Sequence, residues 1–432
     1  MKRSQREAAA RGSTHLLRLS LPAVRSNGSF EGADILAEAG AVPAILLCQV
    51  YRGVMAWALT PAAGHPGLFP PHAAAETRRL MGEAAVPEEL RPALETVCEL
   101  FDDPAGADAS RVAEACMRIG EWAERRGDAP ATALRFLQAG GTCSPNDARL
   151  AYRAGYVARR QAIWDIAELW FRHSSTVSRR QHDWNSHATA YLALGNSYYQ
   201  QGRYAPAKRE HMKALRVGKR HGLREVQGRA HHDLLAVASE LGELAEAESN
   251  AQKALHAYGP THPNVPPLAH DIAYFWITRG YFRRALPVFR ALLPHFRQPQ
   301  DRIRPLGSIC RAAGGSGQRE IFHEAWRDLW QLAPTVEWAP ALPASLLQAA
   351  YGAVALQEWS LAQAGAEYAL KTAAARGESD VIADAERTLD ANHARDASNL
   401  ASEAAPAEVP EIPAEALARE LVASLMAAGS AA

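Results

Sequence analysis

A small residue recurs at near-constant intervals along the middle of this 432-residue chain, and this recurrence limits what the chain can fold into. The recurring positions are Thr132, Ala167, Ala207, Ala247, Ala285, Ala325 and Ala362, separated by 35, 40, 40, 38, 40 and 37 residues. Three places before each stands a residue that is large and apolar in nearly every unit: Ala129, Trp164, Tyr204, Leu244, Phe282, Phe322 and Trp359. Seven places after each stands a mostly small one: Ala139, Ser174, Ala214, Ala254, Leu292, Leu332 and Ala369. Because these offsets share one face of an α-helix, each unit is predicted to end in a helix with a fixed packing face.

A turn signal and a second helical pattern precede that helix. Five places before the small residue stands a glycine or another predicted breaker: Gly127, Ala162, Gly202, Gly242, Gly280, Glu320 and Gln357. The upstream pattern is clearest at Tyr191, Leu194, Gly195 and Tyr198. A small residue lets two antiparallel helices approach closely, but one pair cannot bury its whole apolar face. The sequence therefore predicts an all-α solenoid of about seven stacked helix-turn-helix units.

The stretch from Tyr191 to Ala214, YLALGNSYYQQGRYAPAKREHMKA, resembles a tetratricopeptide repeat. Its matching positions are Tyr191, Leu194, Gly195, Tyr198, Gly202, Tyr204, Ala207 and Ala214, and His211 replaces the usual aromatic residue. The resemblance covers residues 113–376 and implies a right-handed superhelical solenoid that acts by binding other proteins. Most units exceed the usual 34 or so residues, which predicts longer helices or loops such as 216–227 and 259–267. Three glycines, Gly314, Gly315 and Gly317, predict short or mobile helices in the unit at 306–339.

The segments that flank the array differ from it in composition and lack its repeat. Residues 1–28 are polar and rich in small residues, which predicts disorder. Residues 29–112 carry helical patterns around a Gly/Pro-rich loop at 61–71, and form either a cap for the solenoid or a separate interaction region. The stretch 41–60 is long enough to test as a membrane span, but Pro43, Gln49 and Arg52 argue against membrane contact. No signal peptide or disulfide framework is indicated, so a cytoplasmic location is expected.

The C-terminal part of the chain is acidic and divides into three predicted pieces. Residues 377–400 predict a capping helix, and residues 401–432 a Pro/Ala/Glu linker followed by a short amphipathic helix at 414–426. Two interpretations of that helix remain open. It docks on a partner or in the chain's own groove, or it packs on the end of the array.

The resemblance implies that the first helix of each pair lines a concave groove. The candidate groove residues are Tyr152, Arg153, Tyr156, Arg159, Arg160, Asn196, Tyr199, Arg229, His232, Asp233, His270, Asp271 and Tyr274, with Arg311 and Tyr351 further along. The chain has 47 basic and 47 acidic residues, but residues 149–229 hold 16 basic against 5 acidic ones, and residues 377–432 hold 3 against 11. A basic groove would attract anionic segments. We therefore expect it to bind an acidic protein segment, or the chain's own acidic tail.

Other chemistries find less support in the sequence. His232-Asp233 and His270-Asp271 could be a metal site or a proton-transfer pair, but neighbouring residues on a helix point about 100° apart, so only His232 and His270 could converge. No catalytic or phosphate-loop motif is present, so neither enzymatic activity nor a metal or cofactor is expected. Unequal repeat lengths argue against base-by-base nucleic-acid reading. The main hypothesis is an adaptor or scaffold, and the alternative is a sensor whose groove binds a peptide or small ligand.

Overall fold

The computed structural model describes residues 32–38, 41–395 and 411–429. The predicted disorder of residues 1–28 and most of the predicted linker lie outside the described residues. Within those ranges the secondary structure consists of twenty α-helices and four short 3-10 helices, with no strand. The chain divides into two compact units, with the boundary after Val226.

The first unit contains α1 (Ala33–Glu38), α2 (Ala41–Leu59), α3 (Ala73–Glu83), α4 (Arg91–Asp102), α5 (Ala109–Arg126), α6 (Pro130–Cys143), α7 (Ala148–Arg160), α8 (Trp164–Arg180), α9 (Trp184–Gln200) and α10 (Tyr204–Arg220). Helix α11 (Arg224–Glu240) begins three residues before the boundary and lies mostly in the second unit. The other helices of that unit are α12 (Leu244–Tyr258), α13 (Val265–Thr278), α14 (Phe282–Leu292), α15 (Pro299–Gly315), α16 (Arg319–Leu332), α17 (Leu342–Ala355), α18 (Trp359–Ala374), α19 (Ser379–Ala394) and α20 (Glu411–Gly429). From α5 to α18 these helices form seven consecutive pairs, each with a first and a second helix in contact. The predicted all-α array of helix-turn-helix pairs is confirmed.

The helix crossings are built on the recurring small residues. All seven are buried, Ala325 with 4% of its surface exposed and the other six with none. In the third pair the ring of His211, itself buried, lies where a side chain on Gly195 would be, 2.3 Å from the position of a Cβ atom. Phe171 lies against Gly155 in the same way in the preceding pair. His211 therefore takes the packing place of the aromatic residue that it replaces.

The 40-residue interval has a simple origin in the middle of the chain. Helices α8, α9, α10 and α11 each contain 17 residues and are separated by three-residue turns. Two such helices and two turns span 40 residues, which confirms the prediction of longer helices. The predicted loop at 216–227 is wrong, because α10 continues to Arg220 and α11 begins at Arg224. A longer link does occur between α12 and α13, at residues 259–264.

Most of the predicted breakers are turn residues with left-handed backbone. Gly127, Gly202, Gly242 and Gly280 have φ between 69° and 81°, and Ala162 and Gln357 adopt φ of 56° and 59° without being glycine. A left-handed residue is a common way to end an α-helix. Glu320 is the exception and lies inside α16. The turn of that pair is made by Gly317, at φ 76°.

The glycine-rich sixth pair is regular, and the prediction of short helices there is wrong. Helix α15 runs for 17 residues through Gly314 to Gly315. A Cβ on Gly314 would lie 2.2 Å from the carbonyl oxygen of Gly352, and one on Gly352 would lie 2.2 Å from that of Cys310. These glycines are needed because the backbones of α15 and α17 touch, so the packing contact outweighs the low helix propensity of glycine.

The N-terminal helices pack directly on the first pair. The Glu38 carboxylate accepts hydrogen bonds from the backbone N–H groups of Ala131 and Thr132, both at 2.7 Å, and Asp34 pairs with Arg135 at 2.8 Å. Glu38 thereby satisfies donors at the start of α6, which has no cap from its own side chains. Among the described helices none is both long and apolar enough to cross a membrane, α2 included.

The last helix, α20, lies on the second unit. It packs mainly along α14 and also contacts α12 and α13. Leu417, Leu421 and Leu425, spaced four residues apart, have at most 2% of their surface exposed, and His295 Nε2 lies 2.9 Å from the Leu425 carbonyl oxygen. The helix thus buries its apolar face against a second helix of the array.

Enlarging the small residue at a crossing should destabilise the fold. We expect Ala207→Leu and Ala247→Leu each to lower the free energy of unfolding by about 1–3 kcal/mol, because the added atoms overpack a closed crossing. Ala205→Leu and Ala245→Leu, at exposed positions of the same helices, are the controls. Denaturant midpoints that fall equally in both sets would refute the crossing assignment.

The backbone contact between α15 and α17 yields a second prediction. Gly314→Ala should lower the free energy of unfolding by about 1–3 kcal/mol, since backbone atoms have to move to admit the methyl group. Gly82→Ala, where nothing lies within 4 Å of the new Cβ, should instead raise it by about 0.5–1 kcal/mol through helix propensity. Urea titration of both variants measures the two effects, and a stabilised Gly314→Ala protein would show that the backbones do not touch.

Candidate binding faces of the first helices

In the first unit, the predicted arginines of α7 are held by a glutamate of α5. Arg153 Nη2 lies 2.7 Å from Glu124 Oε2, and Arg160 Nη1 lies 3.1 Å from Glu124 Oε1. Only 17% of the Glu124 side chain is exposed, so the carboxylate bridges the two guanidinium groups within the helix layer. Glu121, whose Oε1 lies 3.7 Å from Arg153 Nε, adds a second carboxylate, so the charge of Arg153 is balanced within the helix layer, whereas Arg160 keeps 60% of its side chain exposed.

The aromatic residues of α7 take part in the same packing. The guanidinium groups of Arg153 and Arg159 lie 5.7 and 5.3 Å from the centre of the Tyr156 ring, in cation–π geometry. Tyr152 packs against Phe171 of α8, with ring centres 5.5 Å apart. Tyr156 and Arg159 are half-buried and reach solvent, whereas Tyr152 serves mainly to hold α7 against α8.

The basic surplus of residues 149–229 is divided between first and second helices. Nine of its sixteen members lie on α8 and α10, and α9 carries none. On α9 the candidate Asn196 is half-buried and makes no described hydrogen bond, while Tyr199 packs near Tyr204. Four of the other arginines lie on α7 and two on α11, so the surplus is not confined to the predicted groove, and a basic groove stays a prediction.

In the second unit, two histidines converge on one aspartate. His232 Nε2 of α11 lies 2.9 Å from Asp271 Oδ2 of α13, and His270 Nδ1 lies 3.2 Å from Asp271 Oδ1. His232 and His270, the two residues predicted to be able to converge across neighbouring helices, thus meet at the Asp271 carboxylate. Asp233 is half-buried and lies outside this cluster. Across the described ranges, no three His, Cys, Asp or Glu side chains form a group suited to a metal ion.

Opposing effects act on the Asp271 carboxyl group. Burial acts to raise its pKa, but the hydrogen bonds to His232 and His270 outweigh this and hold the pKa well below its ordinary range. About half of the side chain is exposed to solvent, which limits how much the cluster adds to stability. Its structural effect is to join α11 to α13 on the solvent side of the first helices.

Further along the second unit, Arg311 of α15 is a cation without a carboxylate partner. Its Nη1 donates a hydrogen bond of 2.7 Å to Gln348 Oε1, and its guanidinium lies 5.0 Å from the centre of the Tyr351 ring. Burial lowers the pKa of Arg311 and raises that of Tyr351 to about 12. The other groups that act on its charge, Tyr274 and Asp384, also belong to first helices or to α19.

The remaining candidates divide into exposed and unpartnered groups. Tyr274 has 39% of its surface exposed and stacks on His270 with the ring planes 9° apart. Arg229 is half-buried and has no described hydrogen bond or ion pair. The sequence reasoning missed Gln348, which holds Arg311 in place. The signal that could have found it is its position one helical turn before Tyr351.

Comparisons with known proteins return only distant structural similarities. No protein-family model and no curated protein sequence matches the chain. The apo form of RapI is 13% identical with a TM-score of 0.47, covering 64% of this chain and 98% of that one. Aspartyl phosphate phosphatase F from Bacillus subtilis is 12% identical with a TM-score of 0.41, covering 87% and 98%. BtubC from P. vanneervenii is 15% identical with a TM-score of 0.41, covering 52% and 91%.

The lowered pKa of Asp271 predicts a pH-dependent contribution to stability. A carboxyl group whose pKa is lower in the folded chain stabilises the fold above its ordinary pKa, and this contribution disappears as the pH falls through the folded value. Between about pH 5 and about pH 3, the free energy of unfolding should therefore fall more in the wild type than in Asp271→Asn. Asp390→Asn, at an exposed position without a described ion pair, is the control. Parallel pH profiles of wild type and Asp271→Asn would contradict the assignment.

Proposed function

We propose that this chain is a non-enzymatic protein-interaction module, in which the first helices of the second unit bind a peptide segment that contains a carboxylate. The observation that carries the proposal is the state of Arg311. It is half-buried, oriented by Gln348 and Tyr351, and makes no described ion pair, since the carboxylate that acts on its charge, Asp384, pairs with Arg387. A cation in these surroundings is destabilised until an anion joins it, so an external carboxylate would complete the site.

The groups around Arg311 suit a peptide better than a free ion. Tyr274 and Tyr351 offer aromatic contact area with little loss of conformational entropy, and side chains of this type often dominate the energy of protein interfaces. A planar guanidinium can pair with both oxygens of a carboxylate. The proposed partner is therefore a protein segment with an acidic side chain or a terminal carboxylate next to an apolar or aromatic residue.

A displayed peptide library tests this proposal without knowledge of the natural partner. Random peptides are selected on the full-length chain, and the dissociation constant of the strongest one is measured by fluorescence anisotropy. We expect Arg311→Ala to weaken binding about tenfold or more, which corresponds to about 1.4 kcal/mol, because it removes the paired cation. Arg311→Lys should recover only part of the loss, since an ammonium group cannot pair with both oxygens.

Arg304→Ala, an exposed position on the same helix, is the matched control and should bind as the wild type does. Denaturant midpoints of all variants show whether the fold is retained. Selected peptides that lack any carboxylate, or that bind Arg311→Ala as tightly as the wild type, would refute the proposed site.

A further inference from the structure

The outward side of α10 carries an uninterrupted basic stripe. Arg209, Met212, Arg216 and Lys219 follow one another at helical spacing, and all four are exposed, as is Arg220. The opposite side of the helix buries Ala207, His211 and Ala214 among other residues in the core. The stripe is therefore the solvent face of a second helix, in the layer opposite the first helices.

Nothing in the described part of the protein balances this charge. Arg209, Arg216, Lys219 and Arg220 have no ion pair or side-chain hydrogen bond. The one acidic residue of α10, Glu210, has 7% of its side chain exposed and pairs with Lys213 at 2.7 Å. The arginines of α7 show the contrast, since they share Glu124.

The end of α8 carries two further exposed arginines. Arg179 and Arg180 stand in the last turn of α8, forty residues before Lys219 and Arg220, and are exposed without a described ion pair. The ring of Trp184, which follows the turn after α8, stacks on His221 at the end of α10 with centres 4.3 Å apart and planes at 11°. This stack joins the start of α9, which directly follows the turn after Arg180, to the end of α10. We call the combined surface the outer basic face, formed by Arg179, Arg180, Arg209, Arg216, Lys219 and Arg220.

Helix electrostatics accounts for only part of this surface. Cations in a last turn interact favourably with the negative end of the helix dipole, which explains Arg179, Arg180, Lys219 and Arg220. Arg209 and Arg216 lie earlier on α10, where that effect has faded. Like charges within a Debye length of about 10 Å repel one another, so the face is a site where a bound polyanion would relieve an existing cost.

We propose that the outer basic face binds an acidic helical segment of a partner protein. The exposure of Met212 favours a protein partner over a nucleic-acid backbone. This apolar side chain is 42% exposed in the middle of the stripe, between Arg209 and Arg216. Carboxylates at i and i+4 on a helix lie on one face and can carry an apolar residue between them, whereas a phosphate backbone presents no apolar group there. This face lies on the second helices and is independent of the Arg311 site.

The probe for the test is a synthetic 18-residue helical peptide with glutamates at i and i+4 and leucines on the same face. Its dissociation constant is measured by fluorescence anisotropy with the full-length chain at about 0.1 M salt. The triple variant Arg209→Glu/Arg216→Glu/Arg220→Glu should weaken binding at least about tenfold, because three paired charges become repulsive. If the charge-reversed variant does not fold, a variant with glutamine at the same three positions should also weaken peptide binding, because it removes the three positive charges.

A net-charge-matched control reverses three exposed arginines elsewhere, Arg78, Arg125 and Arg149, and should leave binding nearly unchanged. Met212→Ser should weaken binding of the peptide about threefold or more but should not change binding of single-stranded polyuridylate. Arg311→Ala should not change binding of this peptide. A failure of the outer basic face proposal can therefore be distinguished from a failure of the proposed Arg311 site.

Three outcomes would overturn the proposal. The first is equal loss of peptide binding in the control and the stripe variants. The second is peptide binding that ignores the stripe variants. The third is polyuridylate that binds the face while the peptide does not, which would assign the surface to nucleic acid instead.

Discussion

The close approach of paired helices at buried small residues is the contact on which the rest of this structure depends. At Ala207 and its equivalents the absence of a large side chain lets the second helix lie directly against the first, and the neighbouring aromatic ring or His211 closes the gap. In the last two pairs the approach is closer still, since Gly314 and Gly352 bring the backbones of α15 and α17 into contact. Within each unit the crossings recur from pair to pair, so neighbouring first helices lie side by side, as α11 and α13 do at Asp271.

First and second helices differ in the kind of side chain that they expose. Polar and aromatic groups of the first helices interact across neighbouring pairs, as in the bridge from His232 through Asp271 to His270 and in the contact of Arg311 with Gln348. The second helix α10 instead presents cations that no neighbour balances. Each unit thus offers its own candidate recognition surface: first helices organised by internal contacts in the second unit, and the unbalanced cations of α10 in the first.

The ends of the described chain are attached by specific polar and apolar contacts. Glu38 caps α6 and ties the N-terminal helices to the first pair, although the sequence pattern there indicated only helices around a loop. Helix α20 buries Leu421 and Leu425 along α14, on a second helix rather than on the first-helix residues proposed for peptide binding. Both segments cover apolar surface that an array of amphipathic helices would otherwise expose.

The sequence by itself determined the helix-pair repeat, its spacing and the buried position of its small residues, because these depend on periodicity within a few helical turns. The polar residues that reach the first-helix face, among them Tyr274 and Arg311, were also visible from their places in the repeat. Only the tertiary structure decided which charges remain unbalanced. Glu124 lies 29 residues before Arg153 yet neutralises it, while Arg209 and Arg216 find no partner, and such pairings depend on how separate helices stack rather than on local sequence. The same reason explains why part of the basic surplus lies on the solvent face of α10, outside the predicted groove.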